Sequence, residues 1–140
     1  MMETLFRGKK VDGTGWVEGF YFYQDYYWRG EHIREHYILP VGCGDACRVN
    51  PYTVGQYTGI AINDERIFED DIITLYSSDD FRFIVRLGEY DKTVGFAHFS
   101  GVGFYCERTD DEDFIQPFGM TPFSDVVKIG NIHDNPELIG

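Results

Sequence analysis

The chain has 140 residues, and 24 acidic against 12 basic side chains give it a formal net charge of −12. Hydrophobic residues make up 43% of the chain and aromatic residues 17%, a composition that excludes intrinsic disorder, collagen and coiled coil. The length suits one globular domain, or one domain with a small appendage. A chain of this size buries a sufficient core without a disulfide or a structural metal.

Membrane and secretory segments are not expected. No stretch approaches the ~18 consecutive apolar residues of a membrane-spanning helix, and the first ten residues lack the apolar run of a secretory signal. The three cysteines are an odd number in a chain with an adequate core, which indicates reduced thiols. We therefore expect a cytoplasmic protein that does not associate with membranes.

Charge is distributed unevenly along the chain. Residues 1–50 hold six Lys and Arg against seven Asp and Glu, a net of −1, whereas residues 51–140 hold six against 17, a net of −11. Because nucleic-acid binding depends on Lys and Arg displacing counterions, direct binding through the second part is not expected. A solvated acidic face is the simpler explanation, and an acidic surface that competes for another protein's DNA site is the alternative.

The first elements read as strands rich in aromatic residues. Residues 16–24 predict a strand after a turn at 12–15, and residues 26–29 predict the return strand of a hairpin across Gln24 and Asp25. Residues 32–39 favour a strand through their β-branched and aromatic content, although a single helical turn is also possible.

Helix-start signals occur at two places. Asn50 is predicted to cap the first amides of a short helix, and Pro51 suits its first position. Gly55 limits this helix to one or two turns. Asn135 and Pro136 repeat the pattern and predict a terminal turn. Because the strand spacing and the charge balance both change near Asn50, the predicted domains are an N-terminal β segment over residues 1–50 and a C-terminal domain over residues 51–140.

The C-terminal part alternates between strands and turns. The predicted strands are residues 72–76, 81–87, 94–99, 102–106 and 126–132. Residues 77–80, 89–92 and 110–113 predict the breaks, and Ser100 with Gly101 predicts a tight hairpin. Five short strands joined by brief turns suggest a small sheet that closes into a barrel or roll. The expected fold class is therefore all-β, with few short helical turns.

A metal site is conceivable at His32, His36, Cys43 and Cys47, which together offer four nitrogen and sulfur ligands. On a strand, however, His32 and His36 would lie about 13 Å apart at ~3.3 Å per residue, too far to share one ion. Only a helix would bring them together. We expect exposed histidines and half-buried thiols rather than a cofactor or metal site.

Catalytic residues are not expected. The acidic runs 69–71 and 110–113 show no pattern that would raise the pKa of one carboxyl above another. Ser100 lacks the strand–elbow–helix context of a nucleophile, and Cys106 lies in an alternating strand. Residues 55–59 carry glycines but lack the lysine of a phosphate-binding loop. The sequence therefore predicts a protein without enzymatic activity.

Aromatic side chains are concentrated in one segment: Tyr21, Tyr23, Tyr26, Tyr27 and Trp28. Such a run can stack on nucleic-acid bases. Packing in the core or at an interface is the better interpretation, because few basic residues accompany these side chains.

Four blocks of the sequence resemble the YopX family of phage and prophage proteins. They are residues 6–9 with 15–19 (FRGK and GWVEG), residues 49–59 (VNPYTVGQYTG), residues 67–73 (IFEDDII) and residues 129–138 (IGNIHDNPEL). The resemblance implies an all-β protein with an N-terminal β segment and a C-terminal barrel-like roll. It implies no established activity, cofactor or catalytic residue.

Two departures from the family pattern bear on structure. The segment between Gly19 and Val49 is longer than the resemblance implies. Asp70 stands where the family commonly has glycine after the glutamate, and glycine there would permit a left-handed backbone. Since aspartate also tolerates this conformation, we predict a positive φ at Asp70.

These observations favour an accessory protein that acts through protein–protein contacts, without enzymatic activity, as a homo-oligomer. Aromatic residues in a small β protein often exceed what its own core covers, and the surplus forms interfaces. The alternative is an acidic nucleic-acid mimic or regulator that binds a basic nucleic-acid-handling protein.

Overall fold

The structure is a computed structural model that describes residues 5–42, 44–75, 81–121 and 125–139. The described strands are β1 Phe6–Lys9, β2 Trp16–Trp28, β3 Glu31–Pro40, β4 Cys47–Arg48, β5 Gly55–Ile62, β6 Glu65–Phe68, β7 Asp71–Thr74, β8 Arg82–Val94, β9 Ala97–Arg108, β10 Asp111–Pro117 and β11 Val127–Asn131. The described helical elements are short 3₁₀ turns at Pro51–Thr53, Phe118–Met120 and Pro136–Leu138. The predicted all-β class is confirmed.

The chain divides into two compact units, Met1–Tyr57 and Thr58–Gly140. The sequence placed a boundary seven residues earlier, at the change in charge near Asn50. The first residues of β5, Gly55 and Gln56, pair with β1 and so belong to the first unit, whereas the rest of β5 lies in the second. The first unit therefore extends past Asn50, where the charge changes.

Antiparallel strands in the order β4-β3-β2-β1-β5 form the first unit. Its core consists of the buried side chains of Val17, Ile38 and Val49, with Phe6 and Tyr21 packed against them. The segment after β4 returns to the end of β1, since Lys10 and Val49 form an isolated bridge. Backbone hydrogen bonds therefore connect the strands and segments that enclose this small core.

The hairpin of the first unit turns later than predicted. Strand β2 continues to Trp28 and β3 starts at Glu31, so the turn lies at Arg29 and Gly30, with φ values of 51° and 83°. A two-residue turn of this kind needs a left-handed backbone at both positions, which Gly30 adopts without strain. The predicted hairpin across Gln24 and Asp25 is wrong, whereas the predicted strand over residues 32–39 is confirmed.

The second unit contains an antiparallel sheet in the order β10-β9-β8-β7-β11. Its core is formed by buried side chains from several strands and the segment before β11: Ile67, Ile73, Leu75, Phe83, Val85, Cys106 and Val126. Within the described ranges β10 and β11 are the two edges of this sheet, so the expected closure into a barrel or roll is not found. The predicted strand at residues 126–132 is confirmed as β11, and residues 76–80, including the predicted break at 77–80, lie outside the described part.

Strands β8 and β9 form one long hairpin, which corrects two predicted breaks. Residues 89–92 lie inside β8, and Ser100 and Gly101 lie inside β9, where they pair with Asp91 and Tyr90. The turn is at Gly95, with φ 61°, and Phe96. A Cβ at position 101 would meet the Tyr90 hydroxyl at 2.7 Å, so glycine at that position accommodates a ring rather than a turn.

Local backbone signals were predicted well, with one exception. The Asn50 side chain accepts a hydrogen bond from the Tyr52 amide at 3.0 Å and begins the 3₁₀ turn Pro51–Thr53. The predicted positive φ at Asp70 is confirmed at 72°. Asn135 precedes the turn Pro136–Leu138 but does not cap it, because its side chain accepts from the Asn131 amide at 3.2 Å instead.

Candidate interaction surface

A two-stranded arm extends from the first unit. Strand β1 pairs with β2 only as far as Gly19, and β4 pairs with β3 only at Tyr37 and Ile38. We call residues 20–39 the β2–β3 arm. In the described part of the chain, β2 beyond Gly19 and β3 before His36 have no strand on their outer edges.

One face of the arm carries most of its aromatic surface. Cross-strand partners share a face, which places together the side chains of Phe20, Phe22, Tyr26, Trp28, Ile33, Tyr37 and Leu39. We call this set the aromatic face. Phe20 is 52% exposed, Phe22 44% and Trp28 62%, and the rings of Phe22 and Tyr37 stack with centroids 5.3 Å apart. An apolar area of this extent on a thin ribbon lacks a core to cover it.

Glu35 lies within the aromatic face and orders two of its rings. Its carboxylate accepts hydrogen bonds from the hydroxyl groups of Tyr26 at 2.6 Å and Tyr37 at 2.7 Å. An Arg48 guanidinium nitrogen lies 3.9 Å away. The Tyr26 hydrogen bond, followed by that from Tyr37, lowers the pKa of Glu35, and the same hydrogen bonds raise the pKa of each tyrosine. The charged form of Glu35 thus holds both phenol rings in place.

Acid is expected to remove the contribution of this triad to stability. Because the folded pKa of Glu35 is lowered, the contribution is present above the unfolded value and disappears as pH falls through the folded value. The free energy of unfolding of the wild type should exceed that of Glu35→Gln at pH 7, and the difference should vanish in acid. Urea titrations at both pH values measure it, with Glu31→Gln as the control. A gap between wild type and Glu35→Gln that does not change with pH would contradict the assignment.

The opposite face of the arm carries the rings of Tyr21, Tyr23 and Tyr27 together with polar side chains that pair with one another. Arg34 forms two hydrogen bonds with Asp25, at 2.7 and 3.2 Å, and its guanidinium lies 4.1 Å from the centre of the Tyr23 ring. His32 Nε2 lies 3.2 Å from the same carboxylate, and His36 Nδ1 lies 2.5 Å from the Tyr21 hydroxyl oxygen. The two histidines therefore contact separate partners along one strand.

The four residues weighed as metal ligands are not brought together by the described structure. His32 and His36 lie on strand β3, and Cys47 is a half-buried free thiol that packs against the core of the first unit. Cys43 lies outside the described residues. Across the described ranges, no group of three or more His, Cys, Asp or Glu side chains is arranged to hold a metal ion.

The blocks at residues 67–73 and 129–138 meet in the second unit. Strand β7 pairs with β11, and the Ile132 amide donates to the Asp70 carbonyl at 3.0 Å. The Asp70 carboxylate lies 3.1 Å from Arg86 and 3.2 Å from His133 Nε2. These polar groups connect β7, β8 and the segment after β11, so the motif builds the fold of this unit.

The residues weighed for catalysis serve structural roles or face solvent. Asp110, Asp111, Glu112 and Asp113 are exposed, and the Asp113 and Asp110 carboxylates pair with Lys92 and Arg108. Ser100 lies inside β9. Cys106 is fully buried, and burial raises the pKa of its thiol to about 12. A thiol with this pKa is overwhelmingly protonated at neutral pH and is a poor nucleophile.

Sequence reasoning missed two groups of residues. The sequence predicts a strand at Phe20 and Phe22 but not their exposed face, although alternation along a strand places the even-numbered residues 20, 22, 26 and 28 on the face opposite Tyr21 and Tyr23. Phe96 is fully exposed at the β8–β9 turn, and it was missed because that turn was placed at residues 100–101.

The described structure is a two-unit, all-β protein whose first unit projects an aromatic ribbon. In the described part of the chain no helix has the length and apolarity to cross a membrane. The model of the YopX protein family matches residues 5–140, so the chain belongs to the YopX family. No curated protein and no solved structure is significantly similar to this chain.

Proposed function

We propose that this protein is a non-enzymatic phage or prophage accessory protein of the cytoplasm that acts through protein–protein contacts. Its first partner is a second copy of the same chain, and the contact is made by the aromatic face of the β2–β3 arm. The observation that carries the proposal is the exposure of Phe20, Phe22 and Trp28 on one face of a ribbon. Aromatic side chains of this kind are the usual anchors of protein interfaces.

The open edges of the arm support a second copy as the occupant. A strand edge offers unpaired amides and carbonyls at a regular repeat, and antiparallel pairing of an edge with itself satisfies both copies around a two-fold axis. Pairing β2 with β2 in this way would place the aromatic faces of two arms side by side.

The absence of a reaction is supported by the placement of the polar groups. The Asp70 carboxylate contacts both Arg86 and His133 inside the second unit, and Cys106 is buried. Cys47 and Cys106 are free thiols, as expected in a reducing compartment. These features favour a protein whose function depends on its surfaces.

Self-association is tested with variants of the two faces of the arm. Phe22→Ser with Trp28→Ser removes two anchors and should weaken association at least about tenfold, because each buried aromatic anchor contributes ~1–2 kcal/mol. The matched control is Tyr23→Ser with Tyr27→Ser on the opposite face. Tyr23 is 50% exposed and Tyr27 is 75% exposed. Sedimentation equilibrium measures both. A monomeric wild type, or equal loss in both variants, would overturn the proposal.

The exposed acidic residues 110–113, which lie at the β9–β10 turn and the start of β10, favour a second candidate function, an acidic nucleic-acid mimic or regulator. Such a protein would occupy the basic groove of a nucleic-acid-handling protein. Capture from the native host followed by mass spectrometry tests it: the basic protein should be retained by the wild type, released by added DNA, and lost with Asp111→Asn and Glu112→Gln. Capture unaffected by DNA would argue against mimicry.

A further inference from the structure

A basic groove lies in the first unit of this acidic protein. It has a volume of about 460 Å³, and the ionisable residues of its lining are Lys9, Lys10, Arg34, Glu35, His36 and Arg48. The backbone holds its walls together, since the Asn50 amide donates to the Lys9 carbonyl and the Val49 amide to the His36 carbonyl, both at 2.9 Å. These backbone hydrogen bonds make the groove a feature of the folded first unit.

The charges of this groove favour an anionic occupant. Four of the 12 Lys and Arg residues of the chain line it. Glu35 is the one carboxylate among the lining residues, and its oxygens accept hydrogen bonds from Tyr26 and Tyr37. Arg34 is paired with Asp25. Lys10 and the exposed Arg48 are the cations of this lining that the charge argument uses. A cleft that gathers one sign of charge concentrates ligands of the other.

We propose that this groove binds the acidic turn of a second copy of the chain, a name used here for Thr109 and Asp110 of the β9–β10 turn together with the first residues of β10, Asp111 to Asp113. The turn presents four consecutive exposed acidic residues. Asp110 and Asp113 pair with Arg108 and Lys92 of the same chain, so the proposal relies on Asp111 and Glu112. The Asp113 amide donates to the Asp111 carboxylate at 3.0 Å, which shapes the turn before it binds. Asp111 pairs with Arg108 of β9, and the pairing then shifts register before Ile115, so Glu112 and Asp113 lie at an irregularity of the ladder.

The net charges of the two units favour a contact between the groove of one copy and the acidic turn of another over a contact between two second units. The first 57 residues carry a net charge of −1 and residues 58–140 a net charge of −11. Contacts between the second units of two copies are opposed by like charge. In contrast, a contact between the acidic turn of one copy and the basic groove of another brings opposite charges together and is attractive.

Charge reversal tests the proposal. Lys10→Glu with Arg48→Glu should weaken association at least about tenfold at low salt, and Asp111→Lys with Glu112→Lys should do the same. An equimolar mixture of the two variants should associate again, because each groove then meets a turn of opposite charge. Glu65→Lys with Glu89→Lys changes the charge equally at exposed sites and should not weaken association. Sedimentation velocity at low and high salt measures all four, and circular dichroism establishes that each is folded.

The outcomes separate this contact from the aromatic one. Glu112→Lys alone keeps the Asp111 hydrogen bond and serves if the double variant of the turn fails to fold. Association through the groove should weaken with salt, whereas loss of Phe22 and Trp28 should act at any salt concentration. Failure of the variant mixture to associate would overturn the proposal. So would binding of a fluorescent single-stranded DNA by the wild type that Lys10→Glu with Arg48→Glu abolishes, since the groove would then hold phosphate.

Discussion

Replacing Asp71 by alanine is expected to lower the free energy of unfolding by about 3 kcal/mol or more. The Asp71 side chain is completely buried. Its carboxylate accepts the Phe68 amide at 2.7 Å and lies 3.2 Å from the Lys128 ammonium. Alanine would remove the acceptor of a buried amide and the counter-charge of a largely buried lysine. Both losses carry the desolvation cost of groups that water reaches poorly.

Urea unfolding measures this effect, and two variants calibrate it. Asp71→Asn keeps an oxygen that can accept from the Phe68 amide but removes the charge, so its loss should be intermediate. Asp91→Ala removes an exposed carboxylate that lies 2.6 Å from His98 and should cost less than about 1 kcal/mol. Equal losses in the free energy of unfolding for Asp71→Ala and Asp91→Ala would show that the buried carboxylate stabilises the fold no more than an exposed one.

Gly19→Ala is expected to cost about 3 kcal/mol or to prevent folding of the first unit. Gly19 pairs with Phe6 of β1 on one side and with Pro40 of β3 on the other. A Cβ at this position would overlap the carbonyl group of Leu39. Because the obstructing atoms belong to the backbone, β3 would have to move as a whole to relieve the overlap.

Gly44→Ala is the matched control for this substitution. Among the residues that the structure describes, none would lie within 4 Å of a Cβ at this position, and Gly44 is not one of the glycines given a left-handed φ. Alanine should therefore leave stability unchanged or raise it by up to about 1 kcal/mol, by restricting the unfolded chain. Thermal melts of both variants followed by circular dichroism give the comparison. A tolerated Gly19→Ala would mean that β2 and β3 are not as close as the structure places them.

Features that depend on a few consecutive residues were predictable. The left-handed backbone at Asp70 and the cap at Asn50 follow from side chains that act on their own turn. The strand character of residues 32–39 follows from composition and alternation. The family blocks were recognisable because they contain such local determinants, and residues 67–73 and 129–138 meet in the fold.

Features that depend on a distant strand were not predictable in the same way. Gln24 and Asp25 look like a turn, yet ten paired positions extend β2 and β3 through them to Arg29 and Gly30. Ser100 and Gly101 look like a turn as well, but Gly101 accommodates the Tyr90 ring from the paired strand. In each case cross-strand packing outweighs the local preference.

For the proposed surfaces, too, the composition was readable from the sequence and the arrangement was not. The sequence by itself determined the all-β class, the family, the excess of aromatic residues near the N-terminus and the concentration of acid after residue 50. Only the tertiary structure decided that Phe20, Phe22 and Trp28 share an exposed face, and that Lys10 and Arg48 line one groove. Strand register sets which side chains become neighbours, and register depends on pairing between residues far apart in the chain.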